Sequence, residues 1–170
     1  MVSDETSRYL SYLSGREWNE EHLTTIPSQA KVRFGRDTDL DWCTIESDDI
    51  PKEVVRRKLQ FKEIILAESG KERLGYLRME YLWSKIPYVA LIRVRKKHRR
   101  WGVGRAMLQF LEGYLRKRRY RVLMSSSQVD APIAQAWHRA MGFEECGIIS
   151  GINAGGIGEV FFRKSLTRGG

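Results

Sequence analysis

Glycines and basic residues lie together in the middle of the chain, in the stretch RVRKKHRRWGVG at residues 93–104. Counting Arg105, the stretch carries seven Lys or Arg residues. Gly102 and Gly104 end it, directly before a segment whose apolar residues recur at helical spacing. Glycines there let backbone N–H groups face a ligand, and the N-terminus of a helix adds partial positive charge. The pattern therefore predicts a phosphate-binding loop.

Two common phosphate-binding motifs are excluded by the residues themselves. A P-loop needs Gly-x-x-x-x-Gly-Lys-Ser/Thr, which the sequence lacks. A dinucleotide fingerprint needs a third small residue where Met107 stands, and an acidic residue about 20 positions further on. That later region reads Val122-Leu-Met, and the next acidic residue is Asp130. The predicted loop must therefore belong to another class of phosphate site.

The elements around the loop alternate between strand and helix periods, which predicts an α/β fold. Residues 88–94 are nearly all apolar, as expected of a central strand buried on both faces. After the glycines, one helix is predicted from its apolar positions: Val103, Met107, Leu108, Phe110, Leu111, Tyr114 and Leu115. The basic run at residues 116–121 is expected to end that helix in solvent.

Further strands are predicted on both sides of this unit. They lie at residues 31–34, 61–67, 73–83, 121–125, 143–149 and 159–164. Helices are predicted at residues 8–16, at 37–43, after Pro51 and at 132–141.

Two glycine-centred blocks resemble one known family. The spacing Val94-x-x-x-x-Arg99-x-x-Gly102-x-Gly104, between a strand and a helix, resembles the acetyl-CoA pyrophosphate loop of the GNAT N-acetyltransferases. The segment AQAWHRAMGF at residues 134–143 is similar to the Ala-x-x-x-Tyr-x-x-x-Gly-Phe segment of that family. The resemblance implies a mixed, largely antiparallel central sheet flanked by helices. It places the domain at residues 31–166, after a partly helical extension at 1–30 and before a tail at 167–170.

The resemblance also implies the site. Acetyl-CoA would be the cosubstrate, and a primary amine would attack its thioester directly. Backbone groups of Ile92 and Val94 would hold the acetyl and pantetheine end, and Ala134 and Trp137 would flank the pantetheine arm. The pyrophosphate would be wrapped by a run of residues from the loop: Arg99, Arg100, Trp101, Gly102, Val103, Gly104 and Arg105.

The catalytic positions depart from the family pattern. His138 stands where the family often has a Tyr as general acid, and a cationic imidazole can donate a proton to a leaving thiolate. Tyr88 and Ala90 stand where a strand Glu often acts as general base. Glu80 on the neighbouring strand is the candidate base that remains, with a bound water or no base at all as alternatives.

Composition leaves a second class of function open. The formal net charge of +9 predicts an anionic partner, so a non-catalytic RNA- or ribosome-binding module is the alternative, although the glycine-centred blocks favour the enzyme. The two cysteines and three histidines are scattered, so no metal site is expected. No signal peptide or run of about 20 apolar residues is present, which predicts a cytoplasmic protein away from membranes. A homodimer is compatible with the sequence.

Overall fold

The computed structural model describes residues 30–47 and 49–167. The elements are β1 (Ala30–Phe34), α1 (Leu40–Glu46), α2 (Lys52–Gln60), β2 (Ile64–Ser69), β3 (Glu72–Leu82), β4 (Ile86–Val94), α3 (Val103–Lys117), β5 (Val122–Gln128), α4 (Pro132–Ala140), β6 (Glu144–Ile149) and β7 (Glu159–Ser165). The helix predicted at residues 8–16 lies outside the described residues.

Seven strands form one sheet in the order β1-β2-β3-β4-β5-β7-β6. Neighbouring strands are antiparallel except for β4 and β5, which are parallel. A parallel pair needs a crossover connection, and α3 provides it. The prediction of a mixed, largely antiparallel sheet flanked by helices is therefore confirmed.

The helices cover the two faces of the sheet in different places. On one face, α3 and α4 pack on the larger apolar cluster, and Met107, Leu111 and Leu115 of α3 are fully buried. On the other face, α1 and α2 pack over Leu66 of β2 and Tyr76 of β3. Since side chains of a strand alternate between faces, each strand contributes to both layers.

β4 and β5 separate shortly after they begin to pair. In the described part of the chain, their register contains Tyr88 opposite Met124 and Val89 opposite Ser125, and then ends. β4 continues beside β3 until Val94 lies opposite Gly75. The second half of β4 therefore has an open edge. Its apolar side chains are only partly buried, so the prediction of a strand buried on both faces is wrong for that half.

Two predicted strand ends are also wrong, because left-handed backbone interrupts the extended chain there. Phe61 ends α2 and is exposed, Lys62 has a φ of 59°, and β2 starts only at Ile64. At the other place, Trp83 follows β3 with a φ of 50° and is also exposed. Both aromatic residues fit a strand pattern by sequence, yet their backbone belongs to turns.

β5 is longer than predicted and extends to Gln128. Serine and glutamine have little intrinsic preference for strands, but β7 pairs with β5 along its whole length, from Val122 opposite Ser165 to Gln128 opposite Glu159. Because the extension is strand, the consecutive residues Ser125 and Ser126 point to opposite faces of the sheet.

Candidate functional site

The open edge of β4 is the first component of the site. Arg95 donates its N–H to the Leu74 carbonyl of β3 at 3.0 Å. In an antiparallel pair, hydrogen-bonded residues alternate with residues whose polar groups point away from the partner strand. The N–H and C=O groups of Ile92 and Val94 therefore face the gap that β5 leaves. An extended ligand can bind these groups as an added strand would.

The loop after β4 leads to the N-terminus of α3. Arg100 and Gly102 both have left-handed backbone, with φ values of 67° and 77°. Glycine adopts this conformation without strain, which explains its presence at position 102. Intrahelical bonding begins where Ala106 donates to the Gly102 carbonyl at 2.9 Å. The N–H groups of residues 103–105 therefore have no acceptor within the helix and can bind an anion.

Gly104 has a different role, because its backbone is helical. A methyl group built on Gly104 would lie 3.6 Å from the Trp137 indole and 3.7 Å from Val94 Cγ2. The end of β4, the first turn of α3 and the side chain of Trp137 on α4 thus meet at Gly104. Three sequence-predicted residues, Val94, Gly104 and Trp137, therefore lie together at the end of β4.

Three cations of the loop have different partners. Arg95 faces Glu46 at 3.6 Å, and Lys97 pairs with Glu72. Arg99 is exposed, and its Nε donates to the Val94 carbonyl at 3.2 Å. Arg99 therefore lies at the open edge of β4, whereas Arg95 and Lys97 contact carboxylates of the same chain.

Trp101 and Ala134 lie on different elements, the loop before α3 and helix α4. Trp101 is 46% exposed in the loop and contacts the ring of His98 edge-on, with centroids 5.3 Å apart. Ala134 lies in the first half of α4, and its carbonyl accepts a hydrogen bond from His138 Nδ1 at 2.8 Å. The predicted contact of Ala134 with a ligand stays a prediction.

His138 is buried beneath the point where β4 and β5 separate, with 4% of its surface exposed. Its ring stacks on Phe162 with centroids 4.6 Å apart and meets Phe143 edge-on. Nε2 lies 2.8 Å from the Ser125 hydroxyl, and that hydroxyl also lies 3.2 Å from the Val89 carbonyl. His138 is therefore a core residue of α4 and not an exposed one.

Burial lowers the pKa of His138 below its ordinary value, although the hydrogen bond to Ala134 opposes this shift. A carbonyl can only accept, so Nδ1 carries a proton, and the neutral ring then accepts at Nε2. Ser125 links this nitrogen to the last paired residue of β4. The imidazole reaches the gap through the Ser125 hydroxyl rather than by lying in it.

Glu80 lies on the sheet face opposite α3 and α4, directly across from Tyr88 of β4. Its carboxylate lies 3.4 Å from Lys58 Nζ and 3.8 Å from Arg78 Nε. It lines a cavity between α2 and β3 of about 390 Å³ together with Arg57 and Glu63, among others. The structure places Glu80 one strand away from the gap, between two cations.

A second series of hydrogen-bonded side chains was not predicted from the sequence. Tyr88 Oη lies 2.5 Å from Ser126 Oγ, and Ser126 Oγ donates to Glu159 Oε1 at 2.5 Å. Asn153 donates to the other oxygen of Glu159 at 2.8 Å. The Tyr88 ring stacks on Phe161, with centroids 6.2 Å apart. This series lies on the Glu80 face and joins β4, β5 and β7. The serine run SSS in the sequence is its only local signal.

Residues 30–47 and 49–167 contain no group of three His, Cys, Asp or Glu side chains arranged to hold a metal ion. None of the helices in these ranges has the length and apolar character needed to cross a membrane.

Several solved structures share the fold of this chain. The ribosomal-protein-S18-alanine N-acetyltransferase from Escherichia coli has a TM-score of 0.68 and 17% identity, over 83% of this chain and 96% of that one. The ribosomal-protein-alanine N-acetyltransferase from Brucella melitensis has a TM-score of 0.67 and 21% identity, over 79% and 99%. A chain of the NatC complex bound to Gag peptide and CoA has a TM-score of 0.69 and 13% identity, over 82% and 99%.

These likenesses establish a shared fold. No curated protein sequence matches this chain with statistical significance. The family model described as "Acetyltransferase (GNAT) family" matches residues 32–143, from β1 to the end of the second glycine-centred block. The match covers more than half of the 170 residues and both blocks that carry the site. The chain therefore belongs to the GNAT family of acetyltransferases.

Proposed function

We propose that this protein transfers an acetyl group from acetyl-CoA to a primary amine. The observation that carries the proposal is the early separation of β4 from β5, whose pairing ends after Val89 and Ser125. The resulting gap joins an unpaired strand edge to the N-terminus of α3, so it can take an extended ligand that ends in phosphates. The family match supports the same chemistry.

The residues around the gap fit acetyl-CoA. Backbone groups of Ile92 and Val94 would hold the acetyl and pantetheine end, with Ala134 and Trp137 along the arm. The N–H groups of residues 103–105 and the guanidinium of Arg99 would hold the pyrophosphate, and Arg100 and Trp101 would complete the loop. Acetyl-CoA supplies an activated thioester, so this chain needs only to orient the amine and manage protons.

His138 is the proposed source of the proton for the leaving sulfur, through Ser125. A neutral ring has no proton at Nε2 for this purpose, so the role needs the imidazolium. In that form Nε2 donates to Ser125 Oγ while the Ser125 hydroxyl proton passes to the sulfur. The direct attack of the amine on the thioester carbonyl would need no covalent enzyme intermediate.

A peptide with a free N-terminal alanine is the first acceptor that we propose. Two fold neighbours are named as ribosomal-protein-alanine N-acetyltransferases. The polar sheet face that carries Glu80 and Tyr88 adjoins the gap on the side away from α3, where an amine can approach without crossing the coenzyme. Thiol release with such peptides, with lysine-containing peptides and with small amines as comparisons, measures this preference.

The alternative of a non-catalytic RNA-binding module rests on the charge of +9. Part of that charge is neutralised within the fold: Arg95 faces Glu46, Lys97 pairs with Glu72, and Arg116 lies 2.8 Å from Glu112. Calorimetry at moderate salt separates the two functions. We expect acetyl-CoA to bind with a Kd in the micromolar range, and salt-sensitive RNA binding without acetyl-CoA binding would contradict the proposal.

Removing the Arg99 side chain should weaken coenzyme A binding while leaving pantetheine binding unchanged. Arg99 lies at the strand edge beside the α3 N-terminus, and its exposed charge should contribute about 1 kcal/mol, or roughly fivefold in Kd, to phosphate binding. Calorimetric titration of Arg99→Ala with both ligands measures this difference. Arg95→Ala is the control, because Arg95 faces Glu46 and Trp42. Equal weakening of both ligands would assign Arg99 to the fold.

A further inference from the structure

The hydrogen bonds that link Tyr88, Ser126 and Glu159 all donate in one direction. Ser126 has one hydroxyl proton, and a carboxylate only accepts, so the Ser126 hydroxyl donates to Glu159. Tyr88 must then donate its own proton to Ser126 Oγ. The lone pairs of the Tyr88 oxygen remain available to an incoming donor. Each hydroxyl thus points its proton toward Glu159, which is the arrangement of a proton wire.

These three side chains lie where the amine would lose its proton. Tyr88 is half-buried and is the residue of β4 next to Val89, where the pairing with β5 ends. Its side chain lies on the face opposite Val89, because neighbouring strand residues alternate. The Ser125–His138 pair lies on the α4 face of this point, and the Ser126–Glu159 pair lies on the other. The two faces of the sheet therefore each have their own series of hydrogen-bonded groups beside the gap.

We propose that Tyr88, Ser126 and Glu159 act as the general base of the reaction, with Glu159 as the final proton acceptor. This inference rests on the proposed acetyl transfer and names the group that activates its amine. The lone pair of the neutral amine forms the N–C bond while the C–S bond breaks and its electrons leave with sulfur. The nitrogen becomes cationic as it bonds, and its N–H bond breaks as the proton passes to the Tyr88 oxygen. The Tyr88 proton passes to Ser126 and the Ser126 proton passes to Glu159, which leaves a neutral amide.

Glu159 is better suited to this task than Glu80. The Glu80 carboxylate lies near two cations, at 3.4 Å from Lys58 Nζ and 3.8 Å from Arg78 Nε. The hydrogen bonds to Glu159 come from Ser126 and Asn153, which are uncharged. Burial raises the pKa of Tyr88, so this residue stays a neutral phenol that passes a proton on rather than keeping a negative charge.

The test uses steady-state kinetics with acetyl-CoA and a peptide with an N-terminal alanine. We expect Glu159→Gln, Ser126→Ala and Tyr88→Phe each to lower kcat by about 100-fold, as loss of a general base does, with the KM for acetyl-CoA unchanged. The double variant of Tyr88 and Glu159 should lose no more than either single one, since the groups act in series. Glu144→Gln, the same change at an exposed position on β6, should keep wild-type kcat.

A second readout needs no turnover. The Glu159 carboxylate raises the pKa of Tyr88, so Glu159→Gln should lower the midpoint at which the Tyr88 ring carbon titrates by NMR, while Glu144→Gln should leave it unchanged. Wild-type kcat in a folded Glu159→Gln protein, or an unmoved Tyr88 titration, would overturn the relay while acetyl transfer stands. Absence of acetyl-CoA binding by the wild-type protein would instead overturn the proposed function.

Discussion

Replacing Gly104 with valine should abolish acetyl-CoA binding and leave the protein folded. A methyl group at this position already reaches ordinary contact with Trp137 and Val94, at 3.6 and 3.7 Å. The branches of valine would fill the mouth of the gap and keep phosphate from the first-turn N–H groups of α3. Losing two charge-assisted hydrogen bonds predicts a rise in Kd of about 1,000-fold, or roughly 4 kcal/mol. Calorimetry with acetyl-CoA measures it.

Gly113→Val is the matched control for this experiment, since it makes the same change in the same helix. A side chain at Gly113 meets no atom within 4 Å. It should leave the Kd for acetyl-CoA unchanged and, because valine favours helix slightly more than glycine, should not lower Tm. Gly102 is a poorer probe, because its φ of 77° would strain a valine and weaken the fold itself. An unchanged Kd for acetyl-CoA in folded Gly104→Val would show that the pyrophosphate does not bind at this loop.

Replacing His138 should affect stability and turnover through different properties of the ring. His138→Ala removes a fully packed ring beside Phe162 and Phe143, which should cost about 3 kcal/mol and lower Tm by roughly 6–12 °C. His138→Phe keeps a ring of similar size but has no group that can bond to Ser125. If His138 supplies the proton, His138→Phe should lower kcat by about 100-fold, and His138→Tyr should recover part of it. Wild-type kcat in His138→Phe would leave the imidazole a packing role only.

The pH dependence of His138 follows from the same burial. The pKa of His138 in the folded protein lies below the ordinary value of 6.5. As pH falls, His138 therefore binds a proton in the unfolded chain before it does so in the folded protein. The stabilisation from His138 is therefore fully present above pH 6.5 and is lost as pH falls from there through the lowered folded pKa. Tm measured between pH 7.5 and 5.0 should fall in the wild-type protein, and His138→Phe should lack this part of the fall. Turnover has the opposite pH dependence if it needs the imidazolium: kcat should fall as pH rises through the pKa of His138 in the folded protein.

The sequence by itself determined the local parts of this protein. Glycines after a basic loop, a helical apolar period and the block at residues 134–143 were enough to predict the loop, α3 and α4, because turn conformation and amphipathic faces depend on near neighbours. The family and the mixed sheet could be predicted from the same blocks. Most strand positions were also correct, since alternation is written into each segment.

Only the tertiary structure decided which groups meet at the gap. The separation of β4 from β5 depends on pairing between strands far apart in sequence, and no local pattern states where such pairing ends. The burial of His138 depends on Phe162 of β7, and the apolar pattern of α4 gives no information about a residue of another strand. Ser126 belongs to a strand because β7 lies beside it, and this pairing brings Glu159 to Tyr88 across 71 residues of sequence (159 − 88). Side-chain chemistry was readable from the sequence, whereas the distances that let it act arise from long-range pairing of the sheet.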